Sequence, residues 1–159
     1  MRYRGNNVKV TWIWAGGTLD MSGESRGVTV SSNIDTIDAT AGHDKARQYI
    51  AGPVTWEVLW SGVAQNNSGA PQGTLYAQAL QPAQRGTLIV SPYGTATGYL
   101  VYVGEGISNG LVTTLPYSDV TSLTAKWTVS SASGSGMGVG AYGSFMVGIG
   151  IVGTSTIGA

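Results

Sequence analysis

Cysteine is absent from the 159 residues, and the chain holds one histidine and one phenylalanine. Without cysteine no disulfide or thiolate metal site can form, and the redox compartment stays open. Only 10% of the residues are charged, against about 25% in an average soluble domain. So few charges protect a monomer poorly from association, which predicts a subunit covered by its neighbours.

The charges that are present cancel to a formal net charge of zero. This argues against a protein whose affinity comes from neutralising phosphates, since such binding needs clustered Lys and Arg. The N-terminal run MRYRGNNVKV has no apolar segment typical of a secretory signal, so we do not expect export by that route. Residues 136–153 are uncharged but rich in glycine and lack basic flanks, so we expect no membrane insertion.

Alternation of apolar and polar residues dominates the chain, and it is typical of strands with one buried face. Three segments show it clearly: residues 8–14, 54–60 and 123–129. Four more are rich in β-branched or aromatic residues and predict further strands: residues 27–34, 86–91, 97–104 and 110–115. The turn-forming residues between the last two predict that these strands pair through a turn: Gly104, Gly106, Asn109 and Gly110.

One segment, TLYAQALQ at residues 74–81, breaks the alternation and predicts a short helix. Thr74 is placed to cap it and Pro82 to end it. Its apolar residues fall on one side: Leu75, Tyr76, Ala79 and Leu80. The elements together predict a mainly β fold, an antiparallel β-sandwich or barrel with one short flanking helix.

Two stretches lie outside this predicted body. Residues 35–53 are polar and join two strands, which predicts a long loop, and long loops are usually functional or disordered. Residues 1–133 are assigned to the β domain, and residues 134–159 to a Gly-rich apolar C-terminal extension. Within the extension, bulky residues alternate with small ones, which predicts a strand that packs on another subunit: Phe145, Val147, Ile149 and Ile151.

The sequence shows no constellation typical of an enzyme, and we predict no catalytic, cofactor or metal site. His43 lies beside Asp44 without a nucleophile signature, which favours an ordinary surface histidine. The aspartates at 35, 38 and 44 do not match the spacing of a calcium loop, and turn formation or hydrogen bonding between chains is the better interpretation. Folding could still bring Glu57 and Glu105 together as a carboxylate pair, although nothing marks them out.

The five tryptophans invite a sugar-binding or base-stacking interpretation. All five, however, occupy the apolar phase of their strands: Trp12, Trp14, Trp56, Trp60 and Trp127. Packing in the core or at a subunit interface is therefore favoured.

Residues 30–62 resemble the strand–loop–strand of siphophage-type major tail (tail-tube) proteins. The resemblance lies in the Asp-Thr-hydrophobic-Asp motif at 35–38, a polar segment from Lys45 to Tyr49, and the apolar-acidic-apolar strand at Trp56–Val58. Residues 97–133 resemble the end of the same family, with a turn formed by Pro116, Tyr117 and Asp119 and then a final strand. With the helix between them, the resemblance covers residues 8–133.

This resemblance implies a subunit of hexameric rings that stack into a hollow tube through which DNA passes. Its implied partners are copies of itself, a tape-measure protein and tail-completion proteins, and its implied place is the virion tail, assembled in the host cytoplasm. The family's long loop reaches the adjacent ring, so we predict these residues for that contact: Asp35, Asp38, His43, Asp44, Lys45, Arg47 and Tyr49. The alternatives are a head decoration or tail-completion protein and a secreted carbohydrate-binding β-sandwich.

Overall fold

The computed structural model describes residues 7–23, 25–64, 72–114, 116, 121–129 and 137–142. In these residues the chain forms eight strands and one helix: β1 (Lys9–Trp14), β2 (Gly17–Asp20), β3 (Ser25–Asp38), β4 (Tyr49–Val63), α1 (Gln72–Ala79), β5 (Arg85–Ser91), β6 (Leu100–Thr114), β7 (Ser122–Val129) and β8 (Met137–Ala141). The predicted mainly β fold with one short helix is confirmed.

All strands belong to one antiparallel sheet with the order β2-β1-β5-β6-β7-β4-β3, and β8 pairs with β6. The long strand β6 has β5 on one side. On its other side β8 pairs with Leu100–Gly104 and β7 with residues 106–114. The strand β8, from the predicted extension, therefore continues the line of β7 in the same sheet.

The core lies between the two halves of this curved sheet and the helix. The indole rings of Trp12 in β1 and Trp127 in β7 are 5.8 Å apart, although two strands separate β1 from β7 in the sheet. The ring of Trp60 in β4 stacks on Tyr76 of α1, and the Trp12 Nε1–H donates a 2.8 Å hydrogen bond to the Ala79 carbonyl. The sheet thus folds over the apolar faces that the alternation predicts, and α1 closes the remaining side.

The tryptophans all belong to this core, as their phase predicts. Trp12, Trp60 and Trp127 are fully buried, and Trp14 and Trp56 pack against them partly buried. Replacing a fully buried tryptophan by alanine costs about 3–5 kcal/mol of stability. The sugar-binding interpretation therefore has no open tryptophan platform in the described part of the chain.

The predicted turn between residues 104 and 110 is wrong, because β6 is one continuous strand. Its register against β7 shifts between Ser108 and Leu111, and Gly110 there has a φ of +104°. The glycine signal therefore marks a bulge, which needs a residue that tolerates this backbone. The helix begins at Gln72, two residues before the predicted capping position, so Thr74 lies inside its first turn.

The predicted loop at residues 35–53 is wrong in extent. β3 continues to Asp38 and β4 begins at Tyr49, which leaves residues 39–48 as the connection. The β-branched residues at 36, 37 and 50 sustain the ladder here, and the polar residues among them concealed it in the sequence. We call residues 34–54, the hairpin end formed by β3 and β4, the arm.

Candidate assembly interface

Two open edges border the four strands β6, β7, β4 and β3. Among the described residues β3 pairs only with β4, so its outer edge of 14 residues is unpaired. At the other border, β5 pairs with β6 only as far as Ile107, and in the part of the chain that the structure describes Leu111–Thr114 pair with β7 alone. Both edges present backbone N–H and C=O groups that another strand can bind.

The arm projects beyond the rest of the sheet. Within the described residues β7 pairs with β4 only from Val63 to Glu57, so the two strands of the arm pair only with each other there. A bulge marks its base, where the register shifts between Ile34 and Thr36. A Cβ atom on Gly52 would lie 2.7 Å from the Asp35 carbonyl oxygen, so the bulge requires a glycine there.

Large apolar side chains are exposed on both faces of the arm. Ile34 pairs with Val54 on the face that continues the core, and Tyr49 lies further along the same face. Ile37 pairs with Ile50 on the opposite face. All five side chains are exposed, from 46% for Ile34 to 57% for Ile50. An isolated two-stranded hairpin is marginally stable in water, so this arm is suited to being covered on both sides.

Asp38 organises the base of the connecting segment. Its carboxylate accepts hydrogen bonds from the Thr40 hydroxyl at 2.5 Å and the Thr40 backbone N–H at 3.0 Å. The same hydroxyl accepts a bond from the Gln48 N–H across the hairpin, at 3.0 Å. The Thr40 hydroxyl, with the backbone N–H next, holds the pKa of Asp38 below its ordinary value of 3.8, since both bonds favour the charged carboxylate.

Asp44 closes the tip in a similar way. Its carboxylate accepts the Ala41 N–H at 2.7 Å, and its own N–H donates to the Ala41 carbonyl at 2.9 Å. The interpretation of Asp38 and Asp44 as turn-forming residues is therefore confirmed. His43 lies 3.7 Å from the Asp44 carboxylate with 88% of its side chain exposed, so it is a surface histidine.

The other predicted contact residues are spread over the same hairpin. Lys45 and Arg47 are exposed in the tip, and neither forms an ion pair within the described ranges. Asp35 lies in the bulge at the base, and Tyr49 begins β4. All seven residues thus lie on one projecting hairpin, whereas the five exposed apolar residues of the arm include four that the prediction did not list. The signal in the sequence that could have identified these four residues is the run of β-branched side chains on either side of the connecting segment.

The remaining site predictions fall elsewhere. Glu57 in β4 and Glu105 in β6 are separated by β7 in the sheet, and Glu57 forms an ion pair with Lys126 instead. In the ranges described, no group of three or more His, Asp or Glu side chains is placed to hold a metal ion, and no helix there is long and apolar enough to cross a membrane. The predicted C-terminal strand lies outside the described residues: Phe145, Val147, Ile149 and Ile151.

Comparison with known proteins shows a shared fold at low sequence identity. A chain in the tail of an empty gene transfer agent particle, refined with C6 symmetry, matches with a TM-score of 0.63 and 12% identity, covering 87% of this chain and 99% of that one. The SPP1 tail tube matches with a TM-score of 0.60 and 10% identity, covering 88% and 80%.

A third similar structure is the cap that terminates the tube of the anti-feeding prophage, with a TM-score of 0.59 and 11% identity, covering 89% of this chain and 92% of that chain. No protein-family model and no curated protein matches the sequence. The fold that the resemblance implies is confirmed, and it occurs in several kinds of particle, so the siphophage type remains a prediction.

Proposed function

We propose that this protein is a structural subunit that assembles with copies of itself into stacked rings, which form a hollow phage tail tube through which DNA passes. The observation that carries the proposal is the four-stranded part of the sheet, which has an open edge at each border and an apolar arm beyond it. The fold shared with the tube chains of gene transfer agent and SPP1 supports it.

The two open edges complement each other in direction. Strands β6, β7, β4 and β3 alternate, so β6 and β3 run in opposite directions. When β3 of one copy lies beside β6 of the next copy in the same orientation, the new pair is antiparallel like all the others. Every joint is then the same heterologous contact, and rotation closes a ring in which both of these edges are paired.

Six copies, as in the C6 arrangement of the gene transfer agent tail, would join twenty-four strands into one barrel. At about 4.8 Å between strands the wall is about 115 Å around. Barrels of sixteen or more strands enclose an aqueous channel, whereas small ones fill with side chains. A ring of this size is therefore hollow.

The arm supplies the contact between rings. Its two apolar faces would be covered by neighbouring subunits, and the predicted contact residues along the hairpin would add further contacts: Asp35, Asp38, His43, Asp44, Lys45, Arg47 and Tyr49. The C-terminal strand with Phe145, Val147, Ile149 and Ile151 would add to a neighbouring sheet. The proposed further partners are a tape-measure protein and tail-completion proteins. The tail of the virion is the proposed location, assembled in the host cytoplasm, and the subunit performs no chemistry.

Negative-stain electron microscopy of the purified chain tests this function. We expect long hollow filaments with a regular axial repeat. Single rings or closed ends without filaments would instead favour a tube-terminating subunit, the second candidate, because the anti-feeding prophage cap has the same fold. A stable monomer at high concentration would contradict both.

A further inference from the structure

The four-stranded part of the sheet has one covered face and one free face. On the covered face Trp127 contacts Trp12 of β1 and Trp60 stacks on Tyr76 of α1, so β1 and α1 lie on that side. Residues of the opposite phase in β3, β4 and β7 are exposed or half-buried and form the free face. In β6 the opposite-phase residues Val101 and Val103 are buried, so the free face excludes this first part of β6. When such sheets close into a ring, β1 and α1 need the room outside the barrel. The free face then points inward.

Hydroxyl side chains dominate the free face. Ser31, Thr55, Ser61, Thr124 and Thr128 lie on it, in register across β3, β4 and β7. Hydroxyl groups carry no charge, and they both donate hydrogen bonds to water and accept them from it. These side chains therefore do not attract charges of one sign over the other. It differs from the paired strands of the arm, where five large apolar side chains are exposed.

One ion pair supplies the charge at the centre of this face. Glu57 is the only charged residue of β4 and Lys126 the only one of β7. The Lys126 Nζ lies 2.9 Å from the Glu57 Oε1, and each side chain is a little under half exposed. The other charges on these four strands are Glu105 in β6 and Arg26, Asp35 and Asp38 in β3, so Arg26 is the one further base and it lies at the bulge near the start of β3. The pair leaves the centre of the face neutral.

We infer that the free face lines the bore of the tube and that Glu57 neutralises Lys126 there, so that passing DNA is not held. This inference rests on the proposed function. An unpaired lysine in each copy would present a ring of cations to the DNA backbone, and each phosphate contact releases counterions and adds affinity. In this chain the Glu57 carboxylate pairs with the Lys126 ammonium group instead. The DNA therefore meets hydroxyl groups and an ion pair without net charge.

Labelling of single cysteines locates the face, because the natural chain has none. Leu59→Cys places a thiol on the free face, where Leu59 is 45% exposed, and Gln78→Cys places one on the exposed side of α1. After assembly and reaction with a maleimide gold cluster, we expect gold inside the tubes for Leu59→Cys and outside for Gln78→Cys. Gold outside intact tubes for Leu59→Cys overturns the face assignment alone, whereas absence of tubes from the unmodified chain overturns the proposed function.

Charge variants test the role of the ion pair. Tubes are sedimented with a labelled short DNA duplex of random sequence. Glu57→Gln is expected to retain DNA, and between about 50 and 200 mM salt its affinity should fall about a thousandfold for six phosphate contacts. The unmodified chain, Lys126→Gln and the double variant Glu57→Gln/Lys126→Gln are expected to retain none.

A second variant tests the same role of charge if Glu57→Gln does not assemble into tubes. Thr55→Lys adds an uncompensated base to the free face at an exposed position and leaves the ion pair intact. It too is expected to hold DNA in a salt-dependent manner. Retention by the unmodified tubes, or no retention by either lysine-exposing variant, overturns the inference.

Discussion

Ile37 lies opposite Ile50 in the β3–β4 ladder, and each side chain is more than half exposed. The pair is on the face of the arm that points away from the core, while Ile34 and Val54 are exposed on the other face. Apolar pairs on both faces of a projecting hairpin cannot be buried by one flat surface. The arm is therefore suited to insertion between subunits.

Removal of this apolar pair is expected to block tube formation. Ile37→Thr with Ile50→Thr keeps β-branched residues, so the strands should persist and the monomer's stability should change by no more than about 0.5 kcal/mol. Each isoleucine buried between copies contributes about 1.5 kcal/mol, so the loss of both raises the concentration needed for assembly roughly a hundredfold. Sedimentation velocity at a series of protein concentrations measures the concentration at which assembly begins. Ile13→Thr, an exposed isoleucine of β1, is the matched control and should assemble normally.

Shortening of the arm separates ring formation from stacking. The Ala39 N–H bonds to the Gln48 carbonyl at 2.9 Å, so an Asn-Gly turn can replace residues 40–47 between them. We expect a folded subunit that forms rings but not tubes, because the tip contacts are gone. Tyr49→Ser should weaken elongation in the same way. Tubes of normal length from either variant, seen by electron microscopy, would rule out the arm as the stacking contact.

Proline at successive positions of β3 tests the open edge. Neighbouring N–H groups of an edge strand point alternately to the partner strand and away from it. Of Ser31→Pro and Ser32→Pro, one should break a bond to β4 and lower the monomer's stability by about 1 kcal/mol or more. The other should keep that stability and lose rings, because only an outward N–H is removed. Thermal unfolding and electron microscopy distinguish them, and rings from both variants would contradict edge pairing.

The order of the arm's tip should depend on pH through Asp38. Its pKa is lowered in the folded chain by the two bonds from Thr40, so the stabilisation is complete above the ordinary value of 3.8 and is lost as the pH falls through the lower folded value. We expect the Thr40 amide resonance to titrate below pH 3.8 and its hydrogen exchange to accelerate there. In Asp38→Asn this titration should vanish. A midpoint above 3.8 would contradict the assignment.

The elements predicted correctly from sequence are those in which one face meets the core. The phase of Val10 and Trp12, or of Ala125 and Trp127, follows directly from burial on one side. Gly110 led to the wrong prediction of a turn, because a bulge and a turn favour the same residue type. Strand β8 was not predicted, because its glycines are typical of a loop. Only its pairing with β6 shows that it is a strand.

The projecting hairpin was predicted in location but not in chemistry, and its role in assembly stays a prediction. Polar residues such as Asp38 and Asp44 signalled a projecting segment, and the structure shows that they organise its backbone. The apolar pairs carry the exposed area, yet Ile37 and Ile50 look like ordinary strand residues in sequence. Whether these two residues are exposed depends on which strands lack a neighbour. That depends on pairing between strands far apart in the sequence.

Three-dimensional reconstruction of the assembled protein by cryo-electron microscopy tests the central claim most directly. We predict that β3 of each copy lies about 4.8 Å from β6 of the next copy, antiparallel, in one continuous sheet around a hollow bore. Particles in which these two edges remain unpaired, whether single molecules or assemblies joined elsewhere, would contradict the account.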